Sequence, residues 1–147
     1  MGIVEKVFKG IYKNKKVLVT GNTGFKGSWL TIWLLKLGAK VYGISKDIPT
    51  NPSIFEELEL KKEITHHKKD IRDLDSVMQI IKEVKPDFLF HLAAQPLVSV
   101  SYSNPIETIS TNVLGTTNIL EALKIINHNC TIVIITSDKC YDNVEWE

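Results

Sequence analysis

The sequence predicts an α/β domain built on a doubly wound parallel sheet, and three observations lead there. Short β-branched and apolar runs alternate along the chain with longer helical patterns. The runs lack polar alternation, as strands covered on both faces do. The first of them opens into three glycines at three-residue intervals, followed at once by a helix.

Val17 to Thr20 is the first strand, entering Gly21. From Phe25 to Leu37 the pattern is helical, with Trp29 and Trp33 four apart and expected in the core, and Gly38 supplying the stop. Lys40 to Ile44 reads as the second strand, and Pro49 and Pro52 keep the following chain irregular. Ser53 and Glu56 have capping-box spacing, which predicts a short helix through Leu60. Glu63 to His67 is the third strand, and Asp73 to Val84 an amphipathic helix with Leu74, Val77, Met78 and Ile81 on one face. Asp87 to Leu92 is the fourth strand. Asn104, Pro105 and Glu107 combine an N-cap, a first-turn proline and a capping glutamate, opening a helix that runs to about Asn127. Thr131 to Thr136 is the fifth strand. Strand–helix alternation with short connections implies right-handed crossovers. Five strands leave such a sheet incomplete against a usual complement of about six.

The composition narrows the function. The chain has 147 residues, 44% hydrophobic and 24% charged, with a formal net charge of +1. That is enough for one buried core and is far from disorder. A nucleic-acid partner would call for a strong basic surplus, and Arg72 is the one arginine among 18 basic residues. No window approaches the ~18 unbroken apolar residues of a membrane span, and Met1 to Gly10 lacks the apolar run of a signal peptide. Two cysteines, Cys130 and Cys140, fit a reducing compartment. The expectation is a cytoplasmic protein that binds neither nucleic acid nor membrane. His66, His67 and His128 lack partners at ligand spacing, so no metal site is expected.

The turn Gly21-Asn22-Thr23-Gly24-Phe25-Lys26-Gly27 points to a dinucleotide. Gly21 lets the strand turn, Gly24 lets backbone N–H groups approach a pyrophosphate, and Gly27 lets the helix lie close to the sheet. The unsatisfied amides and dipole at the helix start attract the diphosphate. Lys26 reads equally as a residue near phosphate and as an exposed first-turn lysine. The second strand ends Ser45-Lys46-Asp47, with serine where an acid normally holds the adenosine ribose, so Ser45 and Lys46 leave NAD and NADP both open. Asp70 is placed to accept from an adenine amino group with Ile71 against the ring, while Asp73 caps the next helix. Leu92, Ala93, Ala94 and Gln95 put mostly small groups where a cofactor backbone passes, although small residues also suit tight packing. Asn112, unfavourable inside a helix, is expected to bond sheet backbone.

Thr136-Ser137-Asp138-Lys139 leaves the fifth strand at the same edge of the sheet. A hydroxyl, a carboxylate and an ammonium side by side suit a crevice that holds a sugar oxygen and moves protons; a solvated loop is the plainer reading.

These stretches, together with Pro49-Thr50-Asn51-Pro52-Ser53, Thr111 to Thr116, and Cys140 to Asn143 with Trp146, resemble the extended short-chain dehydrogenase/reductase superfamily, and within it the nucleotide-sugar 4,6-dehydratases acting on CDP-glucose. The resemblance runs from about Lys15 onward and implies a Rossmann-like fold with NAD as cofactor. It further implies C4 oxidation of the sugar, loss of water across C5–C6 and hydride return to C6. The product is a CDP-4-keto-6-deoxy sugar, a precursor in surface polysaccharide biosynthesis.

Residue by residue, the resemblance makes Ser137 the donor to the C4 oxygen and Asp138 the acid for the departing C6 hydroxyl. Lys139 stands where related dehydratases carry a glutamate base. A lysine can serve as base only if its pKa, about 10.4 when free, is drawn down. The superfamily's Tyr-x-x-x-Lys pair is absent: Tyr141 is followed four places on by Glu145. The chain is therefore expected to be a partial, cofactor-binding domain, residues 1–147, lacking the final strands and the substrate domain. It is expected to be inactive alone and part of a homo-oligomer when full length. A different epimerase or dehydratase of the superfamily, or a non-catalytic dinucleotide sensor, are the other readings. The Asp138–Lys139 pair speaks against an epimerase, which needs no leaving-group acid.

Overall fold

The computed structural model describes residues 3–137 with Tyr141 and Asp142. Five parallel strands form one sheet: β1 (Lys16–Thr20), β2 (Lys40–Ser45), β3 (Thr65–Lys68), β4 (Phe88–His91) and β5 (Thr131–Ile134). Their spatial order is β3-β2-β1-β4-β5, so the winding reverses between β1 and β4. In such sheets the ligand crevice opens at the carboxyl ends of the strands where the order reverses.

Alternation along β1 divides the core. Val17 and Val19 face α1 (Phe25–Lys36) and pack with Leu34, Ala39 and Val41. Leu18 faces the other way, into a larger cluster with Ile44 and Leu89. That cluster is closed by Val77, Ile80, Ile81 and Val84 of α3 (Leu74–Val84) and by Ile119, Ala122 and Leu123 of α6 (Gly115–Ile126). Burying each such side chain contributes about 1.5–3 kcal/mol against its exposed state.

Local signals acted as expected at several starts. Asp73 caps α3 through the Ser76 amide, and Ser53 caps α2 (Ile54–Glu57) through the Glu56 amide. Asn104 caps α5 (Pro105–Ile109) through the Glu107 amide. The short helix α4 (Val98–Ser103) has no counterpart in the expected elements.

Three expectations are corrected. Trp29 and Trp33 are 54% and 51% exposed, because the inner face of α1 is Gly27, Ser28, Thr31 and Leu34. The long helix is continuous to Ile126, but a π turn at Ser110–Leu114 separates α5 from α6. Glu107 lends only its amide to the cap; its carboxylate reaches Lys46 and Arg72 instead. Among the described residues β5 ends the sheet, as five strands imply, with Ile132 and Val133 exposed.

Candidate functional site

The glycine turn lies at the β1 end of the crevice. Gly21 has φ +71°, and a Cβ there would meet Ala93 N at 2.8 Å, so the turn packs directly on the chain leaving β4. A Cβ on Gly27 would fall within van der Waals contact of Gly21 O and lie 2.8 Å from Asn22 Cα, which holds α1 close beneath the turn. Gly24 differs from both: its Cβ would meet only Gly21 O, at 3.5 Å, and otherwise project into open space.

Gly24 is the N-cap of α1 and no side chain caps it. The turn closes as Gly24 N donates to Gly21 O at 3.1 Å, and Ser28 N donates to Gly24 O at 2.8 Å. The amides of Phe25, Lys26 and Gly27 precede the first intrahelical donor, Ser28 N, at the positive end of the helix. Phe25 is 72% exposed and Lys26 is exposed, so neither side chain covers them. These residues fit a dinucleotide diphosphate: an open glycine, uncapped amides and no carboxylate in the first turn.

Asn22 and Thr23 support the turn from inside. Asn22 is fully buried; its Oδ1 accepts from Ser45 Oγ at 2.9 Å and its Nδ2 lies 3.3 Å from His66 Nδ1. It fills the space that Gly43 leaves in β2, so any ligand contact from Asn22 comes from its main chain. Thr23 Oγ1 donates to Asp47 O at 2.7 Å and ties the turn to the end of β2.

The β4 side is organised by a polar chain that sequence reading left out. Thr20 Oγ1 accepts from the amides of Leu92 and Ala93 at 3.2 and 3.1 Å, and so donates to His91 Nδ1 at 2.7 Å. His91 Nε2 then donates to Thr116 Oγ1 at 2.9 Å, whose own proton goes to Asn112 O at 2.7 Å. Burial pushes the His91 pKa down to about 4, which keeps the ring neutral. Asn112 itself brackets Gln95, accepting from its amide at 2.8 Å and donating to its carbonyl at 3.1 Å. The predicted bond from Asn112 to backbone is present, though to the loop beyond β4 rather than to a strand. The Gln95 side chain bonds Thr108 Oγ1 and both the amide and carbonyl of Leu97. The signal for His91 was present in its position, at a strand end between an apolar run and small residues.

On the adenosine side, the Asp70 carboxylate grips Arg72, with guanidinium contacts at 2.6 and 3.0 Å and the Arg72 amide at 2.9 Å. The Arg72 side chain hydrogen bond holds the Asp70 carboxyl below its ordinary range. Ile71 is a correction: its side chain turns into the core beneath Gly115 and does not face the crevice. Ser137 lies exposed beyond β5, while Asp138 and Lys139 fall outside the described residues. Among the described residues no cluster of His, Cys, Asp or Glu has metal-site geometry, and no helix is long and apolar enough to cross a membrane. Cys130 is free, with burial pushing its thiol up to about 11, so it carries no nucleophile.

The model of the GDP-mannose 4,6 dehydratase family matches residues 18–146. This chain belongs to that family. The family match covers the glycine turn, the polar chain and the end of β5 together. A CDP-glucose 4,6-dehydratase from Salmonella typhimurium is 52% identical over 138 residues, covering 94% of this chain and 38% of the relative. An epimerase from Methanothermobacter thermautotrophicus has the same fold, with TM-score 0.76 and 30% identity over 97% of this chain and 40% of that one. A UDP-glucose 4-epimerase from Thermus thermophilus, solved in complex with NAD, gives TM-score 0.68 and 31% identity over 77% of this chain and 35% of that one. The chain thus spans about two fifths of the length of these family relatives.

Proposed function

We propose that this chain is the cofactor-binding part of an NAD-dependent nucleotide-sugar 4,6-dehydratase that converts CDP-glucose to CDP-4-keto-6-deoxyglucose. The observation that carries the dinucleotide is the uncapped, glycine-opened start of α1 at the point where the sheet order reverses. The choice of CDP-glucose is supported by the 52% identity to the Salmonella enzyme across nearly the whole chain.

When bound, NAD supplies the acceptor for hydride from sugar C4 and the donor that returns it at C6. The amides of Phe25, Lys26 and Gly27 hold the diphosphate. Leu92, Ala93, Ala94 and Gln95 form the wall on the β4 side, shaped by Thr20, His91 and Asn112. Ser137 donates a hydrogen bond to the C4 oxygen. Asp138 protonates the C6 hydroxyl as it leaves as water, balancing the proton lost from C5. Lys139 is next in sequence, and its neutral form would take the C5 proton and give it back there as hydride returns to C6. The tyrosine–lysine pair and the contacts to the nucleotide base belong to other parts of the intact protein, which works in the cytoplasm as a homo-oligomer supplying surface polysaccharide precursors.

Incubating the intact protein with CDP-glucose and NAD tests this. Mass spectrometry should show a product lighter by one water, with no net consumption of NAD. Unchanged CDP-glucose from protein with demonstrably bound NAD, or an epimer of unchanged mass, would refute it.

A further inference from the structure

Four charged groups at the adenosine side form a linked chain that the reaction above does not use. Lys46 directly follows Ser45, which ends β2 where an acid ordinarily reads the ribose 2′-hydroxyl; a basic group nearby accepts a 2′-phosphate. Here Lys46 Nζ is paired with Glu107 Oε1 at 2.7 Å. The other Glu107 oxygen takes Arg72 Nη1 at 2.6 Å, and the remaining face of Arg72 is held by Asp70. Two cations thus meet two carboxylates. Glu107 comes from α5, sixty-one residues beyond Lys46, and its amide is fixed by the Asn104 cap. The neighbouring lysines Lys68 and Lys69 border a separate cavity of about 250 Å³ with Ser76, Gln79 and Glu83 of α3.

We propose that Glu107 is a specificity-determining residue that sets NAD over NADP, by occupying the Lys46 and Arg72 cations that a ribose 2′-phosphate would need. A phosphate brings nearly two negative charges to this edge. It would have to displace Glu107 from both partners and then lie against two carboxylates. The ribose hydroxyl of NAD makes neither demand. The inference rests on the dinucleotide reading given above.

Equilibrium binding of NAD and NADP to the intact protein, followed by calorimetry, tests it. Glu107→Gln keeps the shape and the amide bonded to Asn104 but removes the charge. NADP affinity should rise about tenfold relative to NAD, and the gain should shrink in high salt. Lys46→Gln breaks the same ion pair without freeing a cation there, so it should give no gain, and it should abolish the gain when combined with Glu107→Gln. An unchanged NADP-to-NAD ratio in folded Glu107→Gln protein would overturn the proposal. So would an equal gain in Lys46→Gln, which would mean that loosening, not charge, is responsible. If the wild-type protein binds neither nucleotide, the functional reading itself fails; if NAD binds and the ratio does not move, only this inference fails.

Discussion

His91 Nδ1 lies 2.7 Å from Thr20 Oγ1, across the two strands between which the sheet order reverses. Since that hydroxyl already accepts two amides, its proton points at the ring, and His91 must present an unprotonated Nδ1. The chain beyond β4 therefore depends on a neutral histidine.

Acid should consequently destabilise the fold. The folded pKa of His91 is about 4, against 6.5 for the unfolded chain, so the unfolded state binds more protons between those values. The stabilisation is complete above pH 6.5 and is lost as pH falls toward 4, by up to about 3 kcal/mol. His66 and His67, also lowered mainly by burial, add in the same direction. Denaturant midpoints measured across this range should fall with pH, and His91→Gln should flatten the slope. A slope as steep in the variant would remove His91 from the account.

Gly27→Ala tests the contact between α1 and the turn. Its Cβ would meet main-chain atoms of Gly21 and Asn22, which cannot swing aside. A loss of about 3 kcal/mol or more is expected in urea unfolding. A variant as stable as wild type would mean that the helix can shift without cost.

Gly115→Ala should behave differently, because the new methyl meets the end of a flexible side chain, Ile71 Cδ1, with Cγ1 at 2.7 Å. A cost of about 1–3 kcal/mol is expected alone. Ile71→Val removes the clashing methyl, so the double variant should be more stable than the sum of the two predicts, by about 1 kcal/mol. Simple additivity would show that the two residues do not compete for this space.

Asn112→Ala removes both bonds to the Gln95 backbone. Stability should drop by about 1–3 kcal/mol. NAD affinity of the intact protein should weaken with it, because the wall from Leu92 to Gln95 loses its anchor. Hydrogen exchange at the Gln95 amide should accelerate; unchanged exchange would contradict the bracketing role.

Much of the sheet was legible because parallel strands leave apolar runs and their helices carry local caps: Ser53, Asp73 and Asn104 each bond the amide three residues on. The glycine turn was legible because its requirements are steric and local. The orientation of α1 was not. Its apolar residues lie almost all around it, and the approach that Gly27 permits selects small residues for the inner face, which sends Trp29 and Trp33 outward. Glu107 was misread for a related reason: capping-box spacing marks the helix start, but the carboxylate follows its nearest cations, which come from distant sequence. His91 and Thr20 escaped notice because their pairing depends on strand register, which sets them side by side.

The wide turn at Ser110–Leu114 accommodates one residue more than a regular helix of the same rise. A residue added or lost between that turn and Asn118, in regular helix without such slack, would rotate everything before it by about 100°. Glu107 and Thr108 would then swing away from Lys46 and Gln95, while Asn118, bonded to the carbonyls of Ile71 and Arg72, stayed in place. Length just after the wide turn is thus more tightly constrained than the identity of the side chains it carries.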